Sequence, residues 1–116
     1  PYVEDVSATL RQRLQNAGIE TPQFGSFNES NETAVAHISA GSVAAGATAL
    51  FQRGGCEAIF ISCTNLQTLD VITEIEKRCS CPVWSSNLVL GWHMLKIASL
   101  KARNPEKGTL LHDVGL

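Results

Sequence analysis

The chain has 116 residues, 44% of them hydrophobic, and a formal charge of −2 from nine Lys and Arg against eleven Asp and Glu. That length supports one compact domain with its own core and is short for two, while the charge supplies no electrostatic footprint for a nucleic-acid backbone or an anionic membrane. No apolar run approaches the roughly 18 to 20 residues of a membrane span, and the opening PYVEDVSATL lacks the basic and apolar regions of a signal peptide, so a soluble, cytoplasmic protein is expected.

In residues 2 to 17, Val3, Val6, Leu10, Leu14 and Ala17 recur at three- and four-residue spacings, and Gly18 follows as a stop, which predicts an amphipathic helix. The stretch IETPQFGSF reads as a short, irregular strand, and NESNET as a polar loop. Ser39 or Ser42 could cap a helix through GSVAAGATALFQR, closed by Gly54 and Gly55. AIFIS is a continuous apolar run, as expected of a mid-sheet strand covered on both faces.

A helix is expected from Leu66 to Arg78, with Leu69, Val71, Ile72 and Ile75 on its apolar face and Glu74, Glu76, Lys77 and Arg78 toward water. PVWSS is a further strand, and NLVLGWHMLKIASL a last helix capped by Ser86 or Asn87. The alternation predicts an α/β fold with a parallel sheet, a single lobe over residues 1–116. In such folds a strand feeds each helix, yet here a helix follows Pro1-Tyr2 directly and no initiator Met is present. A truncated chain lacking its first strand is therefore expected, with residues 104–116 as an extended apolar tail without an obvious partner.

Four cysteines do not make a disulfide framework here. Cys56 and Cys63 flank one strand, on the order of 23 Å apart at 3.3 Å per residue, beyond disulfide reach. Cys79-Ser80-Cys81 is one residue short of a thioredoxin-type pair and reads as structural or incidental. None of His37, His93 and His112 stands at zinc-ligand spacing from a cysteine or another histidine, so no metal is expected.

Cys63 stands apart, because it falls where AIFIS ends and the next helix is expected to begin. Open parallel sheets bind ligands outside the carboxyl ends of their strands. The free N–H groups of a first helical turn near Thr64 to Gln67 would favour a thiolate and could hold a carboxylate. The bland alternative is a buried, inert strand-end cysteine. Phosphatase chemistry is excluded, since the residue six places after Cys63 is Leu69 and not arginine.

The runs CEAIFISCTNLQTLDVITEIEK and CPVWSSNLVLGWHMLKIA resemble the aspartate/glutamate racemase superfamily, within it the branch of maleate cis-trans isomerase and arylmalonate decarboxylase. PYVEDV resembles the Thr-Pro-Tyr segment that opens the family's second lobe, and AVAHIS its Val-Ala-Arg-Ile segment, with His37 in place of the arginine. The resemblance implies a three-layer α/β lobe, the second of two that close around a cofactor-free site. It implies Cys63 as the catalytic thiol, Thr64 and Asn65 as a cradle for a substrate carboxylate, and Tyr2 as a hydrogen-bond donor to it. Asn31 corresponds to a carboxylate-binding asparagine, with Asn28 an alternative alignment.

Three chemistries then stand open: racemisation, cis-trans isomerisation and decarboxylation of a small carboxylic acid. The implied partner is the missing first lobe, or a second copy that sets two Cys63 thiols face to face across a two-fold axis. A non-catalytic carboxylate-binding module and a purely structural domain are the competing classes. Ser85, Ser86 and Asn87 could touch ligand on the same rim, although capping explains them as well. His93, Trp84 and Trp92 read as packing or interface residues.

Overall fold

Helix α1 (Glu4–Asn16) opens the computed structural model, which describes residues 1–101 and 107–111. Glu4 and Asp5 sit in its first turn and Arg13 in its last, each sign favourable to the helix dipole. The helix stops where Gly18 adopts φ +81°, so that its N–H donates to Gln15 and that of Ile19 to Leu14. This double closure needs a residue without a Cβ penalty at positive φ. The expected apolar face is incompletely covered: Ser7 is the buried residue of α1, Leu10 and Leu14 are half-buried, and Val6 is 46% exposed.

The segment 19–27 does not form the expected strand. A strand needs a neighbour's ladder of N–H and C=O groups, and the described sheet consists of two strands that pair with each other. Side chains hold the segment instead. Arg11 donates to the hydroxyl and carbonyl of Thr21 at 3.1 and 2.9 Å, its guanidinium lies 5.0 Å from the Phe24 ring centroid, and Gln23 donates to Gly54 O.

Two helices follow, α2 (Glu32–Ala36) and α3 (Ala40–Phe51). Ser39 is the cap of α3, accepting from the Ser42 N–H at 3.1 Å. Strands β1 (Ile59–Ile61) and β2 (Val83–Ser85) pair in parallel, with Ile59 opposite Val83, Phe60 opposite Trp84 and Ile61 opposite Ser85. The parallel sheet is as expected, but coverage of β1 on both faces is not. Side chains alternate across a strand, and Ile61 turns inward while Phe60 is 44% exposed on the other face.

Helix α4 (Ile72–Cys79) begins six residues later than expected. Residues 64–71 form turns: the Asn65 amide is drawn to Glu32, the Asp70 carboxylate to Lys107, and Leu66, Thr68 and Val71 into the core. Ser80, left-handed at φ 52°, closes α4. Helix α5 (Ser86–Ile97) is capped one residue earlier than expected, by Ser85, whose hydroxyl accepts from the Leu88 N–H at 3.3 Å. The core lies between α3, α4 and the inward face of the sheet, where Ile72, Ile75 and Val83 have no exposed surface.

Of the tail read as extended, residues 104–106 and 112–116 lie outside the described residues. Thr109–Leu111 correct the expectation by forming a 3-10 turn with a clear partner. The Glu76 carboxylate accepts from the N–H and hydroxyl of Thr109 and from the Val83 N–H, while Leu110 and Leu111 pack against the core. No helix among the described residues is long and apolar enough to cross a membrane.

Candidate active site

Cys63 follows β1 at φ +132°, a backbone conformation that L residues other than glycine rarely adopt. Holding one there costs about 1 to 3 kcal/mol, and such strain gathers at functional sites. Two contacts hold Cys63 in place: its N–H donates to Ser86 Oγ at 3.1 Å, and its Sγ accepts the Asn65 N–H at 3.4 Å. The residue is 7% exposed. The helical turn expected over Thr64 to Gln67 is absent, so a single turn amide, and not a helix terminus, addresses the sulfur.

An open cleft of about 390 Å³ is lined by residues 64–70 and Asn87, with Cys63 next in sequence to the lining but not part of it. Thr64 and Asn65 are therefore brought to one wall, and Asn87 fixes that wall by donating to Thr64 O at 2.9 Å. Asn65 is already engaged, since its amide nitrogen donates to both the backbone carbonyl and the carboxylate of Glu32, each at 2.8 Å. Asn31 stands next to that acceptor as the cap of α2, its side-chain oxygen accepting from the Ala34 N–H at 2.9 Å. Asn28 is left-handed at φ 50° and donates its N–H to Ser26 Oγ.

Tyr2 is half-buried against the core cluster that contains Cys63, and its carbonyl accepts from Ser7 Oγ and Ser26 Oγ. Pro1 is buried and lies close to Cys63. Cys63, Thr64, Asn65 and the start of the chain thus share one rim of the sheet, with the 31–32 turn attached through Asn65.

Sequence reasoning missed Glu32, because its tie to Asn65 spans 33 positions and no local pattern announces it. It also placed Thr68 inside a helix. Thr68 is 2% exposed and its hydroxyl has no partner among the described residues. Ser86, weighed as a cap, instead receives the Cys63 N–H. The other three thiols lie ahead of the strands, Cys56 before β1 and Cys79 and Cys81 before β2. Burial first, then Cys79, Glu76 and Cys56, push the Cys81 thiol up to about 11. Among the described residues no group of three His, Cys, Asp or Glu side chains is placed to hold a metal ion.

Residues 1–111 match the family model described as arylmalonate decarboxylase. Among solved structures, the chain is similar to arylmalonate decarboxylase, at 27% identity and a TM-score of 0.85 over 95% of this chain and 49% of that one. It is also similar to the maleate isomerase Iso from Pseudomonas putida S16, at 27% identity and a TM-score of 0.91 over 97% of this chain and 46% of that one. The chain spans about half the length of the solved structures it matches. No curated protein matches it at a significant level.

Proposed function

Because the chain belongs to the arylmalonate decarboxylase family, we propose that it is one lobe of a cofactor-independent isomerase or racemase acting on a small carboxylic or dicarboxylic acid, with Cys63 as its thiol. The observation that carries this reading is the strained Cys63 at the carboxyl end of β1, its sulfur accepting the Asn65 N–H. In isomerisation, the thiolate adds to the double bond, and the electron pair moves to the carbon next to the carboxylate, where an acid delivers a proton. Rotation about the new single bond, removal of that proton and cleavage of the C–S bond then return the thiolate. In racemisation the thiolate removes a proton from the carbon α to the carboxylate, and an acid on the opposite face returns one.

Both routes develop negative charge on a carboxylate, which Thr64 and Tyr2 are suited to stabilise as neutral donors. Asn31 and Asn65 join them if ligand binding draws the Asn65 amide from Glu32. Each route also needs a second acid, supplied by a complementary lobe or by Cys63 of a second copy. The isolated chain is accordingly expected to be inactive, and a monomeric mass by sedimentation would remove the symmetric version.

A second reading, decarboxylation, is favoured by the position of the thiols. Of the four cysteines, only Cys63 follows a strand, and one thiol is enough to protonate the enediolate left when carbon dioxide departs.

Timed iodoacetamide labelling of this chain with peptide mapping, with and without malonate, tests the proposed site. Malonate should slow labelling of Cys63 severalfold and leave Cys56 and Cys79 unchanged. Equal rates at Cys63 in both conditions would show that no carboxylate site adjoins it.

A further inference from the structure

Cys56, Cys79 and Cys81 take no part in the site above. The β1–β2 pairing begins at Ile59 opposite Val83, with Ile59 N–H donating to Pro82 O at 3.0 Å, so Cys56 and Cys81 both lie just ahead of the paired strands. Cys79 ends α4, and Ser80 turns the chain left-handed at φ 52° and ψ 40°. Residues two apart reach at most about 7 Å when fully extended, so the folded-back Ser80 brings the two flanking cysteines within the Cα range of about 4.4 to 6.8 Å that a disulfide spans. Cys79 Sγ donates to Thr48 Oγ1 at 4.0 Å. Both are half-buried and both are free thiols.

We propose that Cys79 and Cys81 form a reversible dithiol–disulfide pair, oxidised by a low-molecular-mass disulfide. The Cys79 thiolate attacks one sulfur of the small disulfide, forming a mixed disulfide and expelling one thiolate. Cys81 then loses its proton and attacks Cys79 Sγ, closing the protein disulfide and expelling the second thiolate. Two protein thiols give up two protons and two electrons, and one small disulfide becomes two thiols. Cys81, pushed up to about 11 chiefly by burial, is poorly ionised near neutrality, so the first attack falls to Cys79, and the closeness of Cys81 in the second, intramolecular step offsets its small thiolate fraction. Cys56 is the competing partner for Cys81, but it stands 25 positions away in the chain, whereas the single left-handed Ser80 separates Cys79 from Cys81.

The test is equilibration of the reduced chain across a series of reduced-to-oxidised glutathione ratios, followed by acid quench, N-ethylmaleimide trapping and peptide mapping. The expected result is a peptide carrying Cys79 and Cys81 that has lost two hydrogens, resists trapping and regains reactivity with dithiothreitol. Cys79→Ser and Cys81→Ser should each abolish it, whereas Cys56→Ser should oxidise as the parent does. The mapping of the parent chain decides the matter even if a variant fails to fold. Full trapping of both thiols at the most oxidising ratio, a glutathione adduct that never resolves, or a disulfide to Cys56 would each overturn the proposal.

Discussion

Around β2, helix α4 buries Ile72 and Ile75 completely, Val83 and Ser85 have no exposed surface, and Glu76 ties Val83 and Thr109 to one carboxylate. Helix α1 and the segment after it follow another pattern. There, Val6, Ile19, Phe24 and Phe27 stand 46, 54, 37 and 44% exposed, and the attachments include Arg11 to Thr21, Arg11 over Phe24, Gln23 to Gly54 and the Ser7 and Ser26 hydroxyls to Tyr2 O. Periodicity states which face of a helix is apolar, and only a neighbouring element decides whether that face is buried. Cys63 sits at the seam, with its N–H fixed by Ser86 from the packed side and the Asn65 wall tied to Glu32 on the looser one.

The difference should appear first in stability. Ile75→Ala removes a fully buried side chain between α3 and α4 and is expected to cost about 2 to 5 kcal/mol. Leu14→Ala, on the half-covered face of α1, is expected to cost less than about 1 kcal/mol, since Ala also favours the helix. Urea unfolding of the two variants makes the comparison, and equal losses would mean that α1 is packed as tightly as α4.

A smaller effect separates two glycines at positive φ. A Cβ on Gly108, at φ +99°, would stand 2.6 Å from Ile72 Cγ2, whereas one on Gly55, at φ +79°, meets nothing within 4 Å. Gly55→Ala therefore carries only the left-handed penalty of about 1 to 2 kcal/mol. Gly108→Ala adds the clash and should be the worse of the two by thermal unfolding. Indistinguishable values would show that the 3-10 turn yields without cost.

Much of this arrangement was legible in the sequence, and the failures share a cause. The helix that Gly18 ends, the Ser39 cap, the two strands and their parallel sense all rest on local chemistry, which a sequence displays directly. Residues 19–27 have strand-like composition, but pairing is a property of a neighbour. The run from Leu66 has helical spacing, yet the Asn65 amide is spent on Glu32 and the Asp70 carboxylate on Lys107, and α4 begins only at Ile72. In the candidate site, Cys63 was marked by an apolar run that stops. Its anchors, Ser86 and the Glu32–Asn65 tie, join positions 23 and 33 residues apart and become visible only in three dimensions.

The smallest expected effect concerns pH and the packed side alone. Cys81 carries a thiol raised from 9.0 to about 11, chiefly by burial and then by Cys79, Glu76 and Cys56. The folded state therefore keeps its proton where the unfolded chain has lost it. The contribution is complete below about pH 9 and is lost as pH rises through about 11, because there the unfolded chain binds fewer protons. Cys81 is only half-buried, so solvent screening keeps the effect small. In reductant, the urea midpoint of the parent should fall more between about pH 8 and about pH 10 than that of Cys81→Ser. The difference isolates Cys81 from the lysines and the tyrosine that titrate nearby. Equal slopes would mean that Cys81 is as well solvated in the fold as in the unfolded chain. The same excess slope should vanish when the parent is oxidised at Cys79 and Cys81, because a disulfide has no proton to lose.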